Sequence, residues 1–158
     1  MQFKRIIAAI DVSDDLAEKV LKAAHSLASR DGAALSAVCV WPPLSPATLG
    51  VGGEGGASAA VASRAAIEQH QQGRVDSLAA LKALTARVAP EAEAVMLDGD
   101  AADETSAYAE KNGVDLIVTG SHQRGFWGSL VHGSASREVI HDAPCAVFVV
   151  TRRSAEKM

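Results

Sequence analysis

Short apolar, β-branched runs alternate along this chain with segments whose apolar residues recur at helical spacing, and that alternation constrains the fold most. Five strands are expected: Phe3 to Ile10, Ala34 to Trp41, Ala92 to Leu97, Val114 to Thr119 and Cys145 to Thr151. Helical patterns separate them. The first has Leu16, Val20, Ala23, Ala24 and Leu27 on one stripe and ends at Asp31-Gly32. Ser13 is its expected N-cap, with Asp14 and Asp15 in the first turn, where the helix dipole favours them. The second runs from about Val61 to Val88, with Val75, Leu78, Leu81, Leu84 and Val88 as its apolar stripe and Gly73 in its middle. The third covers Ala102 to Lys111 and stops at Asn112-Gly113. The fourth is expected from Ser134 to His141, stopped by Pro144.

Strands alternating with helices mean βαβ units, right-handed crossovers and a mostly parallel sheet. The fourth and fifth strands are almost continuously apolar, as befits strands covered on both faces. The 158 residues fit one domain spanning residues 1–158. Residues 42–60, with Gly50, Gly52, Gly53, Gly55 and Gly56, are expected to be a mobile loop within it, and residues 152–158 a frayed tail.

Composition narrows the function classes. Hydrophobic residues are 48% and charged residues 22%, a globular balance that argues against disorder. The net charge of −4 supplies no broad basic surface, and aromatics at 4% supply few stacking platforms, so no nucleic-acid partner is expected. No apolar run approaches the roughly 20 residues that span a bilayer, and the opening MQFKRIIAAID is too short in its apolar part for a signal peptide. A cytoplasmic protein without membrane contact is the expectation. Cys39 and Cys145 lie in apolar strand segments and are expected as buried, reduced thiols.

The stretch 116–134, LIVTGSHQRGFWGSLVHGS, carries the most chemistry. A buried strand stops at Gly120. A loop with His122, Arg124, Gly125 and Gly128 follows, and Gly133-Ser134 opens a helical pattern. Glycines let backbone approach a ligand, and free N–H groups at a helix N-terminus favour negative charge, so the segment suits an anion such as phosphate. It equally suits an ordinary strand-to-helix connection. In a doubly wound sheet ligands bind beyond the carboxyl ends of the strands, where strand order reverses. Asp11, Val40, Gly99 and Gly120 follow or end the first four strands, and so share that edge. A carboxylate at Asp11 can accept from ribose hydroxyls while the loop holds phosphates. As an alternative, Asp11 is a turn or capping residue.

These residues resemble a known family. Strand one ending in Asp11-Val12-Ser13, the strand Asp115-Leu116-Ile117-Val118, the start Gly120-Ser121-His122 and the close from Gly133-Ser134 to Pro144 look like the universal stress protein (UspA-type) domain. The likeness covers nearly the whole chain, and 115–150 is its most specific part. It implies a Rossmann-like, adenine nucleotide alpha hydrolase-like α/β fold: a five-stranded parallel sheet of order 3-2-1-4-5 with helices on both faces. That order separates strands two and five, against a Cys39–Cys145 bridge. It also implies a homodimer, for which the apolar edge strand 145–151 is the expected interface.

Some members of that family bind ATP through Gly-x2-Gly-x9-Gly-Ser/Thr. On this chain Gly120, Gly133 and Ser134 match, but Gln123 stands at the middle glycine. By resemblance, Asp11 meets the ribose, the Val40 backbone the adenine, and Gly120, Gly133 and Ser134 the phosphates, with Arg124 adding charge. The implied ligand is ATP, with Mg2+, or a related adenine nucleotide, and the implied work is cytoplasmic stress regulation. The competing reading is a non-nucleotide-binding dimer acting through client proteins, which Gln123 favours. Phe126-Trp127, large apolar residues in the loop, suit a protein contact.

Other chemistry finds little support. There is no GxxxxGK[ST] and no GxGxxG after strand one. Histidines 25, 70, 122, 132 and 141 are never four apart, and His141 and Cys145 are separated by Pro144, so a metal site is not expected. No Gly-x-Ser-x-Gly elbow joins a strand to a helix. Catalytic residues are not identifiable, and an enzyme is not expected, although slow ATP hydrolysis is compatible with the motif.

Overall fold

The computed structural model describes residues 1–44, 57–121 and 143–157. Five strands form one parallel sheet: β1 (Arg5–Ala9), β2 (Ala34–Trp41), β3 (Glu93–Asp98), β4 (Leu116–Gly120) and β5 (Ala146–Val150). Their order is β3-β2-β1-β4-β5, as the family resemblance implied. Each strand lies within a residue or two of its expected position. β1 is the central strand: Ala9 pairs with Val38 of β2 on one side and Thr119 of β4 on the other. The order therefore reverses between β1 and β4.

Period-two alternation divides the core. Ile6 and Ala8 join a cluster with Leu21, Leu81, Ala37 and Val118 on the face covered by helices α1 (Ala17–Asp31) and α2 (Ala57–Val88). Ile7 and Ala9 turn to the other face, with Val38, Ile117 and Ala109 of helix α3 (Ala101–Lys111). Fully buried Leu or Ile side chains contribute about 1.5–3 kcal/mol each, and Ile6, Ile7, Leu21, Leu81 and Ile117 are all buried.

The polar ends of the helices show where sequence patterns succeed and fail. Gly32 takes φ 68° after α1 and donates its N–H to Ala28, so the expected stop is real. Asp100 caps α3, its carboxylate accepting the N–H groups of Ala102 and Asp103. Ser13 does not cap α1. The N-cap is Leu16, because Asp11 takes both the backbone N–H and the hydroxyl of Ser13, and Asp14 accepts the Leu16 N–H. Local side-chain competition delays the helix by one turn.

Helix α2 begins at Ala57, four residues earlier than expected, so 57–60 are helical rather than loop. The remainder of the expected mobile loop, 45–56, and the expected helix Ser134 to His141 lie outside the described residues. The tail expected to fray instead turns into a short helix, α4 (Arg152–Ala155). Thr151 and Ser154 form a reciprocal capping box and Ala155 is buried in the α1–α2 core, which supplies the order a polar tail would lack.

Candidate functional site

The sheet register places three of the expected site residues on one edge. Asp11 lies two residues beyond Ala9, Val40 two beyond Val38, and Gly120 one beyond Thr119, on the adjacent strands β1, β2 and β4. This is the carboxyl edge, at the point where strand order reverses. Gln123, Arg124, Gly133 and Ser134 lie outside the described residues, as do His122 and Phe126-Trp127.

Asp11 is half-buried and built into a tight turn. Its Oδ1 accepts the Ser13 hydroxyl at 2.6 Å and the Ser13 N–H at 2.9 Å, while its carbonyl accepts the Asp14 N–H at 3.0 Å. The turn fixes the Asp11 carboxylate, so Asp11 is a turn residue here and not a helix cap. Beneath it lies Cys39, free and buried. Burial pushes the Cys39 thiol up, and the Asp11 charge pushes it further, against the opposing Val12 N–H. It therefore stays protonated at neutral pH. The expectation of a buried reduced thiol holds for Cys39; Cys145 is free but only partly buried.

Gly120 has a packing reason of its own. A Cβ there would lie 3.3 Å from Cγ2 of Val20 and 3.6 Å from Leu16, where the start of α1 crosses the end of β4. The residue lets the start of α1 sit close to the end of β4. Beyond it, the Ser121 N–H donates to the Val150 carbonyl at 2.9 Å, which ties the exit of β4 to β5.

Val40 precedes a feature that the sequence did not disclose. The Trp41 ring packs on α2, with its centroid 5.1 Å from that of His70 and its edge in the notch left by Gly73. A cavity of about 540 Å³ opens here, lined by Trp41, Pro42, Pro43, Leu44, His70 and Gly73 among others. Nearby, Arg74 makes a two-pronged bond with Asp98 at the end of β3, at 2.5 and 2.6 Å, and holds that carboxyl below its ordinary value. On the other flank Arg152 of α4 lies 3.3 Å from Asp15. The contact between Trp41 and His70, 29 residues apart, had no local signal; the mid-helix Gly73 was the one clue. Among the described residues no group of His, Cys, Asp or Glu is arranged to hold a metal ion, and no helix is long and apolar enough to cross a membrane.

The chain matches the model of the universal stress protein family over residues 2–151. It is 34% identical over 148 residues to a universal stress protein of Thermus aquaticus, covering 94% of this chain and 98% of that one. Among solved structures it resembles a universal stress protein of Archaeoglobus fulgidus in complex with dAMP, at 21% identity and TM-score 0.55, covering 94% of this chain and 98% of the other. It also resembles an Arabidopsis thaliana protein of that family with AMP bound, at 13% identity and TM-score 0.56, covering 98% and 95%.

Proposed function

This chain belongs to the universal stress protein family, and we propose that it binds ATP, with Mg2+, or a related adenine nucleotide as a cytoplasmic stress-response regulator. The observation that carries the reading is the convergence of Asp11, Val40 and Gly120 on three neighbouring strands where their order reverses. Such an edge is where doubly wound sheets take nucleotides. Two proteins of similar fold, noted above, were crystallised with AMP-type nucleotides. In this reading the pre-set Asp11 carboxylate accepts from the ribose and the Val40 backbone meets the adenine. Gly120, Gly133 and Ser134 hold phosphates, with Gln123 and Arg124 beside them. The role is regulatory rather than metabolic turnover.

A second reading, a dimer that works through client proteins without nucleotide, is favoured by Gln123 at the place of a motif glycine. Calorimetry on nucleotide-stripped protein with ATP, ADP, AMP and cyclic AMP separates the two. Micromolar ATP binding is expected, weakened at least about tenfold in Asp11→Ala, or ~1.4 kcal/mol. Asp11→Asn keeps an acceptor for Ser13 and controls for loss of the turn. Gly133→Val should abolish binding with the fold intact. No binding at millimolar ATP sinks the nucleotide reading and favours the interaction protein.

A further inference from the structure

The chain leaving β2 is held at three successive points. The Gly99 N–H donates to the Trp41 carbonyl at 3.0 Å. The Trp41 ring fills the notch at Gly73, where a Cβ would come within 2.9 Å of it. Then His70 reaches across from α2, with its Nε2 2.9 Å from the Pro42 carbonyl oxygen. The same imidazole takes the Trp41 indole N–H on Nδ1 at 3.4 Å.

These two contacts assign the proton. An indole N–H only donates and a carbonyl only accepts. His70 Nδ1 must therefore be bare and Nε2 must carry the hydrogen. Both contacts exist together only in the neutral imidazole. Adding a proton to Nδ1 would set N–H against N–H and expel the Trp41 indole, while the bond to Pro42 alone could persist. Among the described residues the charged groups around His70 are Arg74, one turn along α2, and Asp98 of β3, which pair with each other. Asp98 is close enough to feel a charge on His70 as well as that of Arg74. From β2 the groups that meet the imidazole, Trp41 and the Pro42 carbonyl, carry no charge.

We propose that His70 is a positioning residue for the nucleotide site, a clamp on the exit of β2 that holds Val40 in place while the imidazole is neutral and loosens when it is protonated. This rests on the nucleotide reading above, because Val40 lies one residue before the clamped Trp41. Protonation of the imidazole costs the Trp41 bond first, because a protonated Nδ1 no longer accepts the indole N–H. Nucleotide affinity then falls with it, through Val40 and not through any contact of His70 with ligand.

The test joins a local probe to a binding measurement. The Trp41 indole N–H is followed by NMR from about pH 8 to pH 5, with the second tryptophan signal identified by Trp127→Phe. AMP affinity is measured over the same range in the wild type and in His70→Gln, whose amide can donate to Pro42 but takes up no proton. Expected is a titrating Trp41 signal, with wild-type affinity falling about threefold or more beyond any fall in His70→Gln. A Trp41 signal indifferent to pH, or equal pH dependence in the two proteins, overturns the clamp and leaves the nucleotide reading standing. Absence of AMP and ATP binding at every pH overturns both.

Discussion

Gly73 sits in the interior of α2, where glycine costs roughly 0.5–1 kcal/mol relative to alanine. The Trp41 ring explains it, because a Cβ would lie 2.9 and 3.2 Å from two ring carbons. Gly73→Ala should therefore destabilise the protein despite its better helix propensity. In a Trp41→Leu background the same change should turn stabilising, by about 0.4–1 kcal/mol. Urea unfolding of the four proteins of this cycle checks it; a stabilising Gly73→Ala in the wild type would refute the notch. Asp11 shows the complementary case. Its place after the first apolar run was legible in the sequence, since strand ends in such sheets face the ligand edge. That it would capture Ser13 and forestall the N-cap was not, because two short polar side chains can pair in several ways and only the chain path decides.

At the scale of elements, α1 and α2 are joined by a small ion network on the solvent side of their shared core. Glu18 accepts from Arg87 of α2 at 2.9 Å and pairs with Lys22 at 2.6 Å. Arg87, then Lys22, lower its carboxyl from the usual value to about 2, against a weaker opposing effect of burial. The folded state thus prefers Glu18 ionised. The stabilisation is complete above the ordinary carboxylate range of about 4.5 and is lost as pH falls through about 2. Glu18→Gln should flatten the acid side of the stability profile in that window and barely change it at pH 7 beyond the loss of the pair. Added salt should shrink the difference, since the groups are exposed. Urea midpoints measured from pH 5 to about pH 2 at two ionic strengths give the answer; identical acid slopes would count against the network. The interhelical pair, like the burial of Ala155 of α4 in the core, depends on residues brought together by the fold. The cap at Gly32 needs only its own neighbours and was readable beforehand.

At the scale of the whole molecule, β5 is the sheet edge next to β4, and it carries Phe148 and Val149 at 46% and 37% exposure. The homodimer proposed from the apolar 145–151 edge uses this strand. Sedimentation at micromolar concentration should give a dimer, and Phe148→Lys should give a monomer with unchanged secondary structure; a wild-type monomer would reject the interface. The sequence by itself determined the alternation of strands and helices, the apolar faces and the strand ends that carry Asp11, Val40 and Gly120. All of these follow from local periodicity and turn chemistry. The strand order came from family resemblance, and the structure bears it out. Only the tertiary structure decided that α1 presses on Gly120, that Ala155 anchors the tail in the core, and that His70 holds Trp41 and Pro42. Those contacts join residues distant in sequence, and their geometry is set by how the helices pack on the sheet, which no local pattern encodes.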